Sequence, residues 1–134
     1  MRSIQALSVV ALLLLALGCT TRVPATVTMR PTHAIEKNAI VFVQANRLGG
    51  VVADSLTRAG IKTTTVFAEA TYILDVKVGA SRGGGGVCGP TSNVVYILNG
   101  EGRRLLVIKG RGPTGECDSS VFDDISRMLA TYSG

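Results

Sequence analysis

Two β-branched, apolar stretches joined by a tight turn limit most strongly the folds that this chain can adopt. Residues 93–98 (NVVYIL) and 104–109 (RLLVIK) flank the segment 99–102 (NGEG). Asn-Gly favours the left-handed backbone conformations that a two-residue hairpin turn requires. We therefore predict an antiparallel hairpin with its turn at Asn99-Gly100, and the sheet has to be built around these two strands.

Three further strands and two helices are predicted from the spacing of apolar residues. Alternation and short β-branched runs predict strands, whereas apolar residues three and four positions apart predict helices. The predicted strands are residues 39–43, 61–67 and 70–78, and the predicted helices are residues 48–59 and 120–132. The order β-α-β-β-β-β-α predicts an α+β two-layer sandwich, in which a mostly antiparallel sheet of about five strands is covered on one face by two helices.

The chain begins with an apolar run that is short for a membrane span. Residues 4–18 would form a helix of roughly 22 Å, and a hydrocarbon layer is about 30 Å thick. Arg2 precedes the run and small residues end it. This is the layout of a secretory signal.

Residues 15–19 (LALGC) resemble the lipobox of bacterial lipoproteins. The resemblance implies that residues 1–18 are a signal peptide and that Cys19 carries a diacylglyceryl group and an acylated N-terminus. Thr20, rather than Asp, after the cysteine implies sorting to the outer membrane, with the domain facing the periplasm. Two or three acyl chains together make a durable membrane anchor.

The segment after Cys19 is predicted to be an extended tether, residues 19–38, leading to a single domain of residues 39–134. It contains two prolines and no helical period. A solvated linker is the favoured interpretation, because proline weakens a strand. The alternative is a strand with one apolar face that could add to the sheet of a partner. Its apolar residues would be Val23, Ala25, Val27 and Met29.

Cys88 and Cys117 are the two cysteines that remain beside Cys19. An even number of cysteines in an oxidising compartment predicts a disulfide. The alternatives are a redox pair, which usually has the spacing C-x-x-C, and a metal site, which needs more ligands nearby. The chain has a single histidine, His33, far from both cysteines.

No arrangement of residues in the sequence predicts catalysis. The segment 110–117 (GRGPTGEC) lacks the Lys-Ser/Thr pair of a phosphate-binding loop, and the chain has no G-x-S-x-G motif. The net charge of +5 is spread thinly, whereas nucleic-acid binding uses a dense basic stripe. We therefore predict no catalytic residues, cofactor, metal or nucleic-acid partner, and we predict that the protein is not an enzyme.

The sequence predicts a lipid-anchored, non-enzymatic accessory or assembly module of a cell-envelope complex, with an envelope protein as its partner. The alternative is a subunit of a secretion or conjugation channel, because the layout resembles the short lipoproteins of type IV secretion cores. Such a subunit would dock by strand addition through its tether. A third possibility is an enzyme or ligand carrier that uses the glycine-rich segment 81–86 (SRGGGG) as a lid.

Overall fold

The computed structural model describes residues 23–45, 47–79, 91–114 and 119–133. Within these ranges the chain forms six strands, two α-helices and one short 3-10 helix. In chain order they are β1 (Val23–Met29), β2 (Ile40–Gln44), α1 (Gly49–Arg58), β3 (Lys62–Thr64), the 3-10 helix (Phe67–Glu69), β4 (Tyr72–Val78), β5 (Thr91–Gly100), β6 (Arg103–Pro113) and α2 (Ser120–Ala130).

The strands of the described chain form one mixed sheet in the order β1-β6-β5-β4-β2-β3. β2 pairs in parallel with both β3 and β4, and the other neighbours are antiparallel. The predicted α+β fold, with two helices on a mostly antiparallel sheet, is therefore confirmed. The sheet has six strands instead of about five, because β1 joins it.

β1 corrects our interpretation of the tether. Residues 23–29 pair antiparallel with β6, with Val23 opposite Arg111 and Val27 opposite Ile108. Pro24 is tolerated because the register shifts between Val23 and Thr26, and a proline at an edge strand or a bulge removes no regular ladder bond. The alternative prediction, a strand with an apolar face, describes this segment.

The hairpin of β5 and β6 is confirmed, but its turn is two residues later than predicted. Glu101 and Gly102 form the turn, with φ angles of 54° and 76°, as a type I′ turn requires. Gly100 instead lies within β5, where a Cβ atom would come within 2.7 Å of the Tyr72 ring and 2.9 Å of Leu105. A glycine is therefore needed at position 100 for close packing and not for the turn.

Both helices pack on the same face of the sheet. α1 buries Val52, Ser55 and Leu56, and α2 buries Val121, Phe122, Ile125, Ser126 and Leu129. On this face they cover the buried apolar side chains of β4, β5 and β6 that point toward them, which are Leu74, Val76, Val94, Tyr96, Leu98, Leu106 and Ile108. Each fully buried side chain of this kind contributes roughly 1.5–3 kcal/mol by leaving water.

The connection between β1 and β2 is tied to the end of α2. The backbone N–H of Ile35 donates a hydrogen bond of 2.9 Å to the carbonyl of Tyr132, and Ile35 forms a parallel bridge with Ser133. The side chain of Ile35 is buried in the core cluster. This segment is therefore part of the domain and not of a solvated linker.

Candidate functional site

The predicted partner-binding residues lie on an edge strand. β1 pairs with β6 on one side, and its other side pairs with nothing in the described chain. Ala25 and Val27 are half-buried and pack against the core of this chain, whereas Met29 lies opposite Val107 and is 40% exposed. Of the predicted partner-binding residues, Met29 therefore has an exposed side chain. The backbone of Val23 pairs with Arg111.

Neither edge of the sheet presents a long, regular row of backbone groups. β1 contains Pro24 and two register shifts, and β3 at the opposite edge is three residues long. Proline, bulges and short edge strands are devices that hinder pairing with another chain. The geometry therefore favours contacts through side chains over extended strand addition.

The sheet has a face that no helix of the described chain covers, which we call the open face. Side chains alternate along each strand, so the residues between the core positions point to the open face. At its centre Ile97 and Val107 lie opposite each other on β5 and β6, and each is only 7% exposed. Val95 continues this apolar centre along β5, whereas Asp75 of β4 lies opposite Ile97.

An exposed aromatic group lies beside the open face near β3. The rings of Phe42 and Phe67 meet edge to face, with centroids 5.6 Å apart and planes at 78°. Phe67 is 59% exposed, and the neighbouring Val66 is also exposed. An aromatic pair of this geometry is worth about 0.5–1.5 kcal/mol beyond its burial, so it holds Phe67 at the surface.

Three exposed cations cluster on the open face at the end of the sheet where Val23 lies. One row across β4, β5, β6 and β1 contains Lys77, Val95, Lys109 and Thr26. Arg111 lies opposite Asn93, two residues further along the strands. We call Lys77, Lys109 and Arg111 the basic patch. A surface groove next to it is lined by Pro24, Thr26, Asn93, Val95, Lys109 and Arg111.

Sequence reasoning did not find the basic patch. In the sequence, Lys109 and Arg111 stand near Arg103 and Arg104, but β6 places the latter two at the hairpin turn, roughly 24–27 Å from Arg111 at about 3.4 Å per residue. Lys77 joins the patch from β4 through strand pairing. The alternation of each strand was the available signal, but only the strand order brings the three cations together.

A buried group of hydroxyls lies between the helices and the sheet. The Ser55 hydroxyl donates to the carbonyl of Val52 at 2.8 Å and lies 2.8 Å from the Ser126 hydroxyl. The hydroxyl of Tyr96 lies 3.3 Å from that of Ser126 and 3.5 Å from that of Ser55. Burial raises the pKa of Tyr96, against a lowering effect of its hydrogen bonds to the two serines. These hydroxyls join α1, α2 and β5 and are closed to substrate.

The other cavities of the described residues include surface grooves along β2, β3 and β4, one of which is lined by Phe42, Asp75 and Lys77, and one small pocket. A cavity of about 30 Å³ beside Ile35 and Leu98 has room for about one water molecule. The described part of the chain contains no group of three or more His, Cys, Asp or Glu side chains placed to hold a metal ion. No helix within the described ranges is both long and apolar enough to cross a membrane.

The cysteine predictions lie outside the described residues. Cys19, Cys88 and Cys117 all fall in segments that the structure does not describe, so the lipid attachment and the disulfide stay predictions. The glycine-rich segment 81–86 also lies outside them. The last described pair of the hairpin, Thr91 with Pro113, lies three residues after Cys88 and four residues before Cys117.

The described residues define a class of protein by fold: a two-layer α+β domain with a mixed six-stranded sheet, two helices on one face and an N-terminal edge strand. No protein-family model matches the chain, and no curated protein sequence matches it. The fold is instead shared with solved structures of PelC.

Two PelC structures from Paraburkholderia phytofirmans, both dodecamers, resemble this chain. The first has a TM-score of 0.55 at 18% sequence identity, and the match covers 79% of this chain and 97% of that chain. The second, a leucine-to-methionine variant, has a TM-score of 0.50 at 20% identity, with 81% and 94% of the two chains covered. At this level of identity the likeness establishes a common fold.

Proposed function

We propose that this protein is a lipid-anchored, periplasm-facing lipoprotein of the outer membrane, which acts as a non-enzymatic assembly module of a cell-envelope complex and works as several associated copies. The observation that carries the proposal is the fold. It matches nearly the whole length of a PelC subunit, 97%, and that subunit belongs to a dodecamer.

The surfaces of the described chain support a docking role. The exposed apolar side chains beside the open face are Phe67 and Val66, whereas Ile97 and Val107 at the centre of that face are each 7% exposed. Exposed aromatic and apolar side chains on a rigid scaffold are typical of surfaces that bind proteins. A sheet that packs against two helices on its other face keeps such side chains in fixed positions.

The lipobox-like segment gives the anchor a defined relation to the fold. β1 begins at Val23, four residues after Cys19, and four residues span at most roughly 14 Å. A tether of nineteen residues would have allowed roughly 60 Å. An acylated Cys19 would therefore hold the edge of the sheet close to the membrane, whereas the longer tether would allow the domain a wide range of distances from it.

The alternative function, a secretion or conjugation channel subunit that docks by strand addition, has one supporting observation. The outer edge of β1 pairs with nothing in the described chain. Pro24 and the two register shifts shorten the backbone that this edge offers. A partner strand would have to pair with a few residues only.

The state of association tests the proposal. The protein is extracted from membranes in mild detergent, its mass is measured by light scattering with the detergent subtracted, and its N-terminal peptide is analysed by mass spectrometry. We expect a multiple of the monomer mass and a diacylglyceryl group with an acylated amine on Cys19. A monomer at all concentrations contradicts the assembly, and an unmodified Cys19 contradicts the anchor.

A further inference from the structure

We propose that the basic patch of Lys77, Lys109 and Arg111 lies against the anionic headgroups of the membrane that holds the acyl chains of Cys19. The inference rests on the proposed lipid anchor and adds to it an orientation: the Val23 end of the open face, and not the end at Phe42 and Phe67, faces the lipid surface.

Strand pairing places the patch at the same end of the sheet as the start of β1. Val23 lies opposite Arg111, and Arg111 lies opposite Asn93 at the beginning of β5. Lys77 is the second-last residue of β4, which ends beside β5 at the same end. Every cation of the patch therefore stands within two positions of the row of Val23 and Arg111, where the chain arrives from Cys19.

Distances allow the anchor and the patch to contact one membrane together. The four residues from Cys19 to Val23 reach at most roughly 14 Å. Adjacent strands are about 4.8 Å apart, so Lys77 on β4 lies about 14 Å across the sheet from β1. The patch therefore falls within the area that a short lipidated segment can hold against headgroups.

The three cations share one face of the sheet. Leu106 and Ile108 point into the core, and Cβ atoms at Gly110 and Gly112 would contact α2 side chains. Alternation therefore sends Lys109 and Arg111 to the open face. Lys77 follows in the same way, because its neighbour Val76 is buried.

Among the described residues, the charge balance of this end of the sheet is positive. The acidic residue on the open face of β4 is Asp75, two residues before Lys77. The pairs of β5 and β6 that surround the patch contain no acidic residue. Glu101 lies at the hairpin turn, at the other end of the sheet. Basic side chains near an anionic bilayer each strengthen binding several-fold, and the effect fades within a Debye length.

Lysine acetylation read by mass spectrometry tests the orientation, because the chain holds four lysines. Lys77 and Lys109 belong to the patch, whereas the exposed Lys37 and Lys62 lie elsewhere and serve as internal controls. The purified full-length protein is reconstituted into vesicles of phosphatidylcholine alone or with phosphatidylglycerol. Acetylation rates are then compared for each lysine, and the lipid on Cys19 is measured in the same digest.

We expect Lys77 and Lys109 to react several-fold more slowly in the anionic vesicles than in the neutral ones, and to recover when about 0.5 M salt screens the charges. Lys37 and Lys62 should react equally in both. Equal rates for all four lysines overturn the inference, and so does equal protection in neutral and anionic vesicles.

Two further outcomes separate this inference from the proposed function. Protection of Lys77 and Lys109 without vesicles, increasing with protein concentration, means that a second copy of the chain covers the patch; the inference then falls while the assembly proposal stands. An unmodified Cys19 together with protection in anionic vesicles overturns the anchor and leaves the headgroup contact supported. An unmodified Cys19 without protection overturns both.

Discussion

The hydroxyl oxygens of Ser55 and Ser126 lie 2.8 Å apart at the place where α1 and α2 meet, and both side chains are buried. The Ser55 hydroxyl donates its one proton to the carbonyl of Val52. Ser55 therefore accepts from Ser126, and Ser126 in turn accepts from Tyr96, since each hydroxyl has one proton to donate. The resulting chain of hydrogen bonds runs from β5 through α2 to α1, and every step in it lies out of solvent.

Removing the middle hydroxyl should cost more than removing the end of this chain. Ser126→Ala removes the oxygen that accepts the hydrogen bond of Tyr96 and the proton that Ser126 donates to Ser55. We therefore expect a loss of about 1–3 kcal/mol in the free energy of unfolding. Tyr96→Phe removes a donor only and should cost about 0.5–1.5 kcal/mol. Urea unfolding measures both, with the exposed Thr65→Ala as a control that should change little. A larger loss for Tyr96→Phe than for Ser126→Ala would contradict this order of donors.

Tyr96 should also make the stability depend on alkaline pH. Burial raises its pKa above the value of 10.0 for an exposed tyrosine, so above pH 10 the unfolded chain releases this proton while the folded protein retains it. The stabilising contribution is complete below the unfolded pKa and is lost as the pH rises through the folded one. Urea midpoints between pH 8 and about pH 11 should therefore fall more steeply for the native chain than for Tyr96→Phe. Identical slopes would contradict this assignment.

Gly110 should tolerate no side chain, in contrast to Gly50. A Cβ atom on Gly110 would come within 2.8 Å of Ile125, whereas one on Gly50 would meet nothing within 4 Å. Gly110→Ala should force α2 away from β6 and cost about 1–3 kcal/mol. Gly50→Ala, in the first turns of α1, should raise stability by about 0.5–1 kcal/mol. Thermal unfolding of the two variants measures both; destabilisation by both would show that the helix start is also tightly packed.

The predicted disulfide between Cys88 and Cys117 should contribute strongly to stability. The hairpin ladder ends at Thr91 and Pro113, a few residues from each cysteine, and a loop of this length is worth about 3–4 kcal/mol on the chain-entropy model. The intact protein should lack two hydrogens relative to the dithiol form, and reduction should lower its melting temperature. Rapid reaction of both thiols with maleimide in freshly isolated protein would exclude the bond.

The lipid anchor predicts the behaviour of a Cys19→Ser variant. Without the thiol there is no diacylglyceryl group, so labelling with radioactive palmitate and globomycin-sensitive processing should both disappear. The variant should remain unprocessed or become soluble. A variant that is processed normally and still stays with membranes after a carbonate wash would contradict the lipobox interpretation.

Much of the fold could be predicted because its elements have strong local signals. The alternation in β4 and the apolar stripes of α1 and α2 depend on residues close in sequence, and Gly60 takes a φ of 86° after α1 as its position indicates. The hairpin was predicted with its turn two residues early, because Gly100 and Gly102 look alike in sequence. The φ of 76° at Gly102 and the packing of the Tyr72 ring on Gly100 separate their roles.

The parts that could not be predicted depend on pairing between distant segments. Residues 23–29 read as a linker because Pro24 weakens a strand, and its cost disappears only at an edge with a register shift. The basic patch depends on strand order in the same way, since it brings Lys77 next to Lys109 across β5. Local sequence has no information on either neighbour.

The position of β1 in the sheet also determines the order in which the domain is expected to fold. β4, β5 and β6 are consecutive neighbours, so their pairing closes short loops, whereas Val23 reaches Arg111 across nearly the whole described chain. Closing long loops is entropically costly, and non-local pairs form late. We therefore expect β1 to be the last strand to join, after the rest of the sheet has formed. In a chain already fixed to a membrane at Cys19, this last step would be the pairing of β6 with the anchored β1, which brings the rest of the domain to the membrane surface.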